Sequence, residues 1–283
     1  PKSKAIVDAN PAAITYYGWT RQQLQQMRIT DINTLHPDQI ASRLETAQQQ
    51  NLHHFHFKHR LANNSIRDVE VFSSPIQSGG TTLLFLIIHD ITERKRLEDA
   101  LFFLLKSGST FSSTDFFKAL VQYLAQTLEM DYVSIDRLLE DKTQTIAVYQ
   151  DGVCDDTPQY APLGASSHEI LKRSTYRLEH GARHLFPEDT ILQNLKAEHL
   201  IGTTLWGLEG KPIGLITLIG RTPLMNNSFI EPILHMVSIR AAAELERRLA
   251  EEVLLENEER YRTLIEHAPL AVMVNQNNQI VLV

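Results

Sequence analysis

The stretch HHFHFKH, residues 53–59, places four histidines in seven positions, and histidine is the commonest metal-ligating side chain. In an extended strand, side chains alternate between two faces, so His54 and His56 share one face. The opposite face carries His53, Phe55, Phe57 and His59. Zinc needs four ligands including any water, and no cysteine or clear acidic partner stands nearby in the sequence. We therefore expect a strand with solvent-facing histidines and no metal site.

The chain has a single cysteine, Cys154, which could attach a chromophore or act in redox chemistry only through its thiolate. It stands in DGVCDD, where the neighbouring aspartates raise a thiol pKa instead of activating the sulfur. One cysteine also excludes a disulfide within the chain. We therefore expect a reducing, cytoplasmic location.

Motifs of the common catalytic classes are missing from the sequence. There is no P-loop, no dinucleotide fingerprint, no G-x-S-x-G elbow and no H-E-x-x-H. The glycines of GLEGKPIGLITLIG belong to a predicted hairpin, not to a strand-to-helix phosphate cradle. The net charge of −7 argues against nucleic acid as a partner. The longest apolar run is far shorter than the roughly 20 residues of a membrane span. We expect no catalysis, no nucleic acid and no membrane contact within this chain.

The length of 283 residues predicts about two domains, and the first reads as short helices followed by strands. Asn10 is a predicted N-cap, with Pro11 as the first helical residue and Gly18 as the stop. Thr20 and Gln23 form a predicted capping box. Two strands then flank an Asn63-Asn64 turn, and the last strand, TTLLFLIIHD, leads without a loop into the charged helix ITERKRLED.

The second segment opens with a predicted amphipathic helix. Its apolar positions are Phe117, Leu120, Val121, Leu124 and Leu128. Strands, a long loop at 151–165 and a hairpin around Glu209-Gly210-Lys211 follow. A final helix runs from about Phe229 past Glu258, roughly 30 residues, which exceeds what one small domain covers. Its stripe of Leu245, Leu249 and Val253 among charges predicts a parallel dimer seam.

The first segment resembles a PAS domain that lacks its first strand. The resemblance rests on Asn10 with Ala12-Ala13, the Gly18-Trp19 break, the Asn-Ser hairpin and above all HDITERKRLED. Residues FFKALVQYLAQTLEMDYVSI, GTTLWGLEGKPIGLITL and RAAAELERR resemble a GAF domain. The end of the chain, NEERYRTLIEHAPLAVMVNQNNQIVLV, resembles the start of a second PAS domain. Because the chain begins at Pro1, we expect it to be a piece of a longer protein.

These resemblances imply an α+β fold class: PAS-like and GAF-like domains, each an antiparallel sheet with flanking helices, joined by long signalling helices. The boundaries that we expect divide the chain into a PAS domain at 1–95, a linker helix at 96–112, a GAF domain at 113–245, a signalling coiled-coil helix at 246–262 and the start of a second PAS domain at 263–283.

The PAS resemblance implies that Asp90 and Thr92 couple the last strand to the signalling helix. A simpler interpretation, compatible with the first, is that they cap that helix. Flavin photochemistry in this family uses a cysteine that the PAS segment lacks. Haem would need an axial ligand such as His36, whose setting LHPDQ reads better as a helix start. We therefore expect neither flavin nor haem, and the ligand that is left as a candidate is an unknown small molecule.

The GAF resemblance implies a pocket, for which Tyr149, His168, Tyr176 and Trp206 are the polar-aromatic candidates. The signature of cyclic-nucleotide binding is missing. Relatives that attach a bilin use a cysteine further along than Cys154. Several relatives have a cysteine in the short helix after a Gly-Thr-Pro stretch, where this chain reads Gly164-Ala165-Ser166-Ser167. The alternative for each of the four candidates is ordinary packing, which is the commoner role of such a residue.

The function implied is sensory: a module that binds a small ligand or cue and relays a conformational change through helices of a parallel homodimer. The output domain would be a histidine kinase in a two-component phosphorelay or a diguanylate cyclase making cyclic-di-GMP. One alternative is a dimerisation and spacer module that senses nothing. Another, a domain that acts on a small oxidised thiol compound, is disfavoured by the single cysteine.

Overall fold

A computed structural model describes residues 5–35, 54–110, 113–157, 159–224, 229–266, 274–276 and 279–281. The chain divides into an N-terminal unit, Pro1–Asp99, and a C-terminal unit, Ala100–Val283. Both combine helices with antiparallel sheets, which confirms the predicted α+β class.

The N-terminal unit begins with helices α1 (Pro11–Tyr17), α2 (Arg21–Gln26) and α3 (Ile29–Ile32). The Asn10 side chain caps α1 by accepting from the Ala13 N–H at 2.9 Å. Gly18 ends α1 with φ 78°, a left-handed conformation that glycine adopts without strain. The Thr20–Gln23 capping box begins α2. All of these sequence-predicted caps are confirmed.

A three-stranded antiparallel sheet follows, in the order β1 (His54–Arg60), β2 (Ile66–Ser78), β3 (Thr81–Asp90). Its inner face carries buried residues of β1 and β2, namely Phe57, His59, Val69 and Val71. Its outer face leaves large apolar side chains exposed, among them Phe72, Ile76, Phe85 and Ile87. Only Ile91 separates β3 from α4 (Thr92–Thr110), as the sequence predicted.

The C-terminal unit contains a larger antiparallel sheet. Its strands are β4 (Tyr132–Leu138), β5 (Lys142–Gln150), β6 (Val153–Asp155), β7 (Gln159–Pro162), β8 (Thr175–Leu178), β9 (His199–Trp206) and β10 (Pro212–Gly220). The strand order is β6-β5-β4-β10-β9-β8, and β7 pairs with β5 beside this path. The predicted loop at 151–165 therefore contains two short strands, because both hairpin back onto β5.

Helices cover both faces of this sheet. They are α5 (Ser113–Leu128), α6 (Ala165–Arg173), α7 (Ala182–Leu185), α8 (Thr190–Asn194) and α9 (Ile230–Glu266). On one face, Leu245 of α9 lies against Gly214; on the other, Ile170 of α6 lies against Gly202. The five apolar positions predicted for α5 are all buried. This two-faced α+β arrangement is the architecture that the GAF resemblance implied.

Helix α9 continues well beyond the sheet. Its side chains are buried as far as Leu245, Glu252 is the last one partly buried, and residues 253–264 are exposed. The predicted seam of Leu245, Leu249 and Val253 needs correction, because Leu245 is buried against its own sheet and Leu249 is partly buried. Only Val253 of that stripe is exposed.

Strands β11 (Val274–Gln276) and β12 (Gln279–Val281) pair with each other as a short antiparallel hairpin. Within the described ranges, no helix has both the length and the apolar character that a bilayer crossing requires.

Candidate functional site

The junction between β3 and α4 is fixed to strand β2 by backbone and side-chain hydrogen bonds. Thr92 is 4% exposed, and its N–H donates to Asp90 Oδ1 at 2.8 Å. Its hydroxyl oxygen accepts from the Asp68 N–H at 3.0 Å. The Ile91 N–H donates to the Asp68 carbonyl at 2.9 Å. The first turn of α4 is therefore tied to Asp68 as well as to the end of β3.

Asp68 also joins two lysines. Its carboxylate lies 3.2 Å from Lys95 Nζ on α4 and 3.5 Å from Lys58 Nζ on β1. Both lysines are substantially exposed, so each ion pair contributes at most about 1 kcal/mol. Their main effect is geometric, because one carboxylate brings β1, β2 and α4 to a common point.

Helix α1 reaches the same junction through Tyr16. Its hydroxyl donates to Asp90 Oδ2 at 3.2 Å, so each oxygen of the Asp90 carboxylate accepts one hydrogen bond. Burial, reinforced by the Asp90 carboxylate, raises the pKa of Tyr16 above its usual range. Tyr16 packs edge-to-face on Tyr17, with ring centroids 4.9 Å apart.

Tyr17 in turn contacts a histidine that the sequence interpretation placed in solvent. His59 is 1% exposed, and its Nδ1 lies 2.8 Å from the Tyr17 hydroxyl. Burial lowers the pKa of His59 to about 4 and raises the pKa of Tyr17. The expectation of solvent-facing histidines holds for His54 and His56, but is wrong for His59. The available signal was its alternation with Phe55 and Phe57, which placed all three on one face. The fourth histidine, His53, lies outside the described residues.

The four aromatic and histidine candidates of the C-terminal unit are not brought together. Tyr149 pairs across the sheet with Val133, whereas Tyr176 aligns through β9 and β10 with Ser134, so the two tyrosines lie on opposite faces. His168 is exposed on α6, with Nδ1 2.8 Å from the Gly164 carbonyl, and Trp206 is exposed at the end of β9. Tyr176 alone of the four is buried in the core between the sheet and α6–α8.

That interior contains polar groups which the sequence analysis did not single out. The Asp136 carboxylate accepts from Ser134 Oγ at 2.7 Å and from Thr145 Oγ1 at 2.6 Å. Desolvation raises the pKa of Asp136, and these two bonds oppose the rise. On the same face of the sheet, a Cβ added at Gly202 would lie 2.2 Å from Ile170 Cδ1. The space above Gly202 is therefore filled by the protein's own side chain.

Helix α9 is attached to the sheet by two glutamates. The Glu252 carboxylate accepts from Arg137 Nη1 at 2.8 Å and from Arg248 Nε at 3.2 Å. One turn and a half earlier, Glu246 Oε1 accepts from the Leu208 N–H at 3.1 Å. These bonds join α9 to β4 and to the β9–β10 hairpin, so the helix leaves the unit from a defined position.

Metal and thiol chemistry gain no support from the geometry. Within the described ranges, no group of three histidine, cysteine or acidic side chains is placed to hold a metal ion. The haem candidate His36 lies outside the described residues. Burial raises the pKa of the Cys154 thiol, so the predicted direction is right but its first cause is desolvation, not the adjacent aspartates.

Comparison with known proteins identifies the N-terminal segment. Residues 1–93 match the family profile described as "PAS domain". Diguanylate cyclase DgcM of Escherichia coli (strain K12) is 38% identical over 97 residues, which are 34% of this chain and 24% of that enzyme. DgcM of Escherichia coli O157:H7 gives the same identity over the same shares. The chain thus spans about a quarter of the length of these curated relatives.

Solved structures resemble the chain more distantly. The GAF domain of an Acinetobacter phosphoenolpyruvate-protein phosphotransferase is 16% identical, covers 55% of this chain and 95% of its own, and has a TM-score of 0.47. The chromophore-binding domain of the R. palustris bacteriophytochrome RpBphP3 is 10% identical, covers 85% and 88%, and also has a TM-score of 0.47. At these TM-scores the likenesses carry no argument about function.

Proposed function

We propose that this chain, whose residues 1–93 form a PAS domain, is a sensory and regulatory module that relays a conformational change through helices to an output domain. The observation that carries the proposal is the β3–α4 junction, where Asp90, Thr92 and Asp68 hold the start of a 19-residue helix directly on the sheet.

A relay at this junction has a physical basis. Since the first turn of α4 is hydrogen-bonded to β2, a small shift of the β2–β3 hairpin changes the position from which the helix starts. A helix with two discrete positions is an established kind of switching element. In this proposal Asp90 and Thr92 are coupling residues: Asp90 accepts from the first N–H of α4, and the Thr92 hydroxyl ties that residue to Asp68 of β2.

The proposed input is a small ligand, and the proposed assembly is a parallel homodimer. Tyr176 is the strongest of the four C-terminal candidates, because it alone is buried in the core between the sheet and α6–α8. Tyr149, His168 and Trp206 lie outside that core, so in this proposal they would contact the ligand only from the opposite face of the sheet or from the surface. The dimer would use the exposed apolar residues of α9 beyond Glu252: Val253, Leu254, Leu255, Tyr261 and Leu264.

The proposed output is a diguanylate cyclase, with a two-component histidine kinase as the second candidate. Similarity to DgcM over about a third of the chain favours the cyclase. That protein is named a diguanylate cyclase, and it contains a segment similar to this one. The chain itself acts in this proposal as a regulator in the cytoplasm, and we assign it no reaction.

The test uses the full-length protein with its output domain. Thr92→Val removes the hydroxyl that accepts from Asp68 while keeping the side-chain shape. We expect the output activity to change several-fold, because the loss of a buried hydrogen bond worth about 1 kcal/mol shifts a two-state helix by about fivefold. Thr15→Val, at an exposed position of α1, is the matched control. An unchanged output in a folded Thr92→Val protein would contradict the relay.

A spacer module without a ligand is the second candidate, and the packing of Ile170 on Gly202 favours it. Native mass spectrometry on freshly purified protein separates the two. A dimer with a defined extra mass supports the sensor. A dimer without extra mass, together with an output that Thr92→Val leaves unchanged, supports the spacer.

A further inference from the structure

The C-terminal unit has a cleft between its sheet and the middle of α9. Its volume is about 380 Å³, part of which is open to solvent. Sites for small molecules occupy roughly 300–1,000 Å³, so a cleft at the lower end of that range suits a small molecule and not a large cofactor. Helix α9 covers the opposite face of the sheet from α6, so the cleft is separate from the core that contains Tyr176.

Two arginines in the wall of the cleft share one carboxylate. Arg137 of β4 donates through Nη1 to Glu252 Oε2 at 2.8 Å, and Arg248 of α9 donates through Nε to Glu252 Oε1 at 3.2 Å. The guanidinium groups therefore stand on either side of a single oxyanion. Charge-assisted bonds of this kind are how arginine recognises carboxylates in general. The pair is a ready-made carboxylate site whose present occupant belongs to the chain itself.

That occupant is the most accessible of the three groups. The Glu252 side chain is 41% exposed, against 29% for Arg137 and 32% for Arg248. Ion pairs with this much exposure are weak, so the Glu252 side chain can rotate into water at little cost. Asp156 also lines the cleft, but it pairs with Lys118 at 3.7 Å. With Glu252 rotated outward, two guanidinium groups and one carboxylate line the cleft, and this balance favours an anion.

Apolar residues of the cleft restrict the rest of the ligand. They are Ile146 of β5 and Leu245 and Leu249 of α9. A hydrocarbon chain that contacts them removes apolar surface from water, which favours binding. A carboxylate on a short hydrocarbon chain resembles the side chain of Glu252, and the arginines already bind that group. The volume excludes a long chain or a large ring system.

We propose that this cleft binds a small carboxylate with a short apolar chain, which takes the place of Glu252 between Arg137 and Arg248. Binding separates α9 from β4, because Glu252 is the residue that bridges Arg137 of the strand and Arg248 of the helix. The inference goes beyond the proposed function. It involves neither the β3–α4 junction nor an output domain, and it stands or fails without them.

The experiment is an NMR titration of the whole chain at constant ionic strength, with chloride as the balancing anion. The probe is butyrate, and its matched control is butyramide, which has a similar shape and no charge. The amides of Gln144 and Ile146, two residues of β5 that line the cleft, report binding. We expect shifts that saturate with butyrate, and none with butyramide.

Glu252→Gln gives the result that a purely structural ion pair would not produce. Because Glu252 competes for the arginines from within the chain, removing its charge should tighten butyrate binding by about 3- to 5-fold. Arg137→Gln in that background should weaken binding by about tenfold or more, because a charge-assisted hydrogen bond is lost. Arg262→Gln is the matched control: it removes an arginine of α9 that pairs with Glu258, and it should leave binding unchanged.

Three outcomes would overturn the site: no saturable shift in either the wild-type chain or Glu252→Gln, butyramide binding as well as butyrate, or Arg137→Gln binding undiminished. If Arg137→Gln fails to fold, Arg248→Gln takes its place. Inorganic phosphate is titrated in parallel, and a preference for phosphate over butyrate would overturn the ligand class.

Hydrogen exchange tests the displacement of Glu252. In the wild-type chain, butyrate should speed exchange in α9 near residue 252, where the bridge to β4 is lost. In Glu252→Gln the bridge is already weakened, so butyrate should have little effect there. Butyrate that binds the wild-type chain without changing this exchange, and with the same affinity as Glu252→Gln, would show that Glu252 is not displaced. These readouts are independent of Thr92, so failure of the cleft and failure of the relay are told apart.

Discussion

At the scale of single residues, the buried His59 makes the N-terminal unit sensitive to acid. Burial lowers the pKa of His59 to about 4, against an ordinary value of 6.5 that applies in the unfolded chain. Between these values the unfolded chain binds the extra proton and the folded protein does not. The stability that depends on neutral His59 is therefore complete above pH 6.5 and is lost as the pH falls toward 4.

We expect acidification from pH 7 to pH 5 to cost the N-terminal unit about 2 kcal/mol through this histidine alone. The measurement is urea unfolding at both pH values, followed by Trp19 fluorescence in the Trp206→Phe background. His59→Phe should remove about that share of the pH effect. Equal pH effects in the two proteins would show that His59 is protonated in the folded state or exposed.

A second prediction at this scale concerns the close packing at Gly202. Gly202→Ala would place a methyl group 2.2 Å from Ile170 Cδ1, so we expect a loss of about 1–3 kcal/mol from overpacking. Gly164→Ala is the matched control, because its Cβ would meet no atom closer than 3.6 Å. Thermal unfolding of both variants tests the difference, and Ile170→Val should restore part of the loss in Gly202→Ala.

The sequence predicted those structural details of single residues that depend on neighbouring residues in the chain. The caps at Asn10 and Thr20 depend on atoms within three positions, so spacing alone predicted them. The burial of His59 depends on which helix covers β1, and the filled space at Gly202 depends on Ile170 more than thirty positions earlier. Such contacts are set by tertiary structure and leave only weak signals in the sequence.

At the scale of elements, helix α9 changes role along its length. Up to Leu245 it is part of the core, and beyond Glu252 it is surrounded by solvent in the described chain. Glu252 stands at this transition and pairs with Arg137 of β4 and Arg248 of α9 itself. The sequence predicted the long helix correctly, but it assigned Leu245 to a seam because a stripe of leucines looks alike whether its partner is a sheet or another helix.

We expect Glu252→Gln to change overall stability by less than about 1 kcal/mol, because both ion pairs are partly exposed. Its effect should be local: faster hydrogen exchange in α9 near residue 252, where the tie to β4 is lost. Glu258→Gln, which removes only the exposed pair with Arg262, is the control. Identical exchange in the two variants would argue that Glu252 does not hold the helix.

At the scale of the whole molecule, the chain divides into two compact units, and a length of 283 residues predicted about two domains. The hairpins of each unit follow from strand-forming runs separated by turn residues in the sequence, whereas the order of the strands in the larger sheet was not predicted. A ligand site is formed by a few side chains that are distant in the sequence, so its residues are hard to predict. The candidates Tyr149 and Tyr176, for example, lie on opposite faces of the sheet.

Self-association is the prediction that belongs to this scale. If the exposed end of α9 forms the dimer, Leu254→Glu should shift the mass in analytical ultracentrifugation from twice 32.2 kDa toward 32.2 kDa, because it buries a charge in an apolar seam. Leu254 is 68% exposed within the chain, so the monomer should fold normally. Thr263→Glu adds the same charge on the opposite side of α9 and should leave the mass unchanged. A monomeric starting protein would refute the seam.

The single residue between β3 and α4 has a consequence for how such modules can be joined. An α-helix turns by about 100° per residue, so inserting or deleting one residue at Ile91 would rotate every downstream side chain by that angle relative to the sheet. Because no loop separates β3 from α4, nothing can compensate for that rotation, and the junction fixes the angle at which the helix leaves the sheet. Chimeras that splice a foreign output behind this PAS domain should therefore work only at linker lengths that repeat with the helical period, and their activity plotted against length should oscillate.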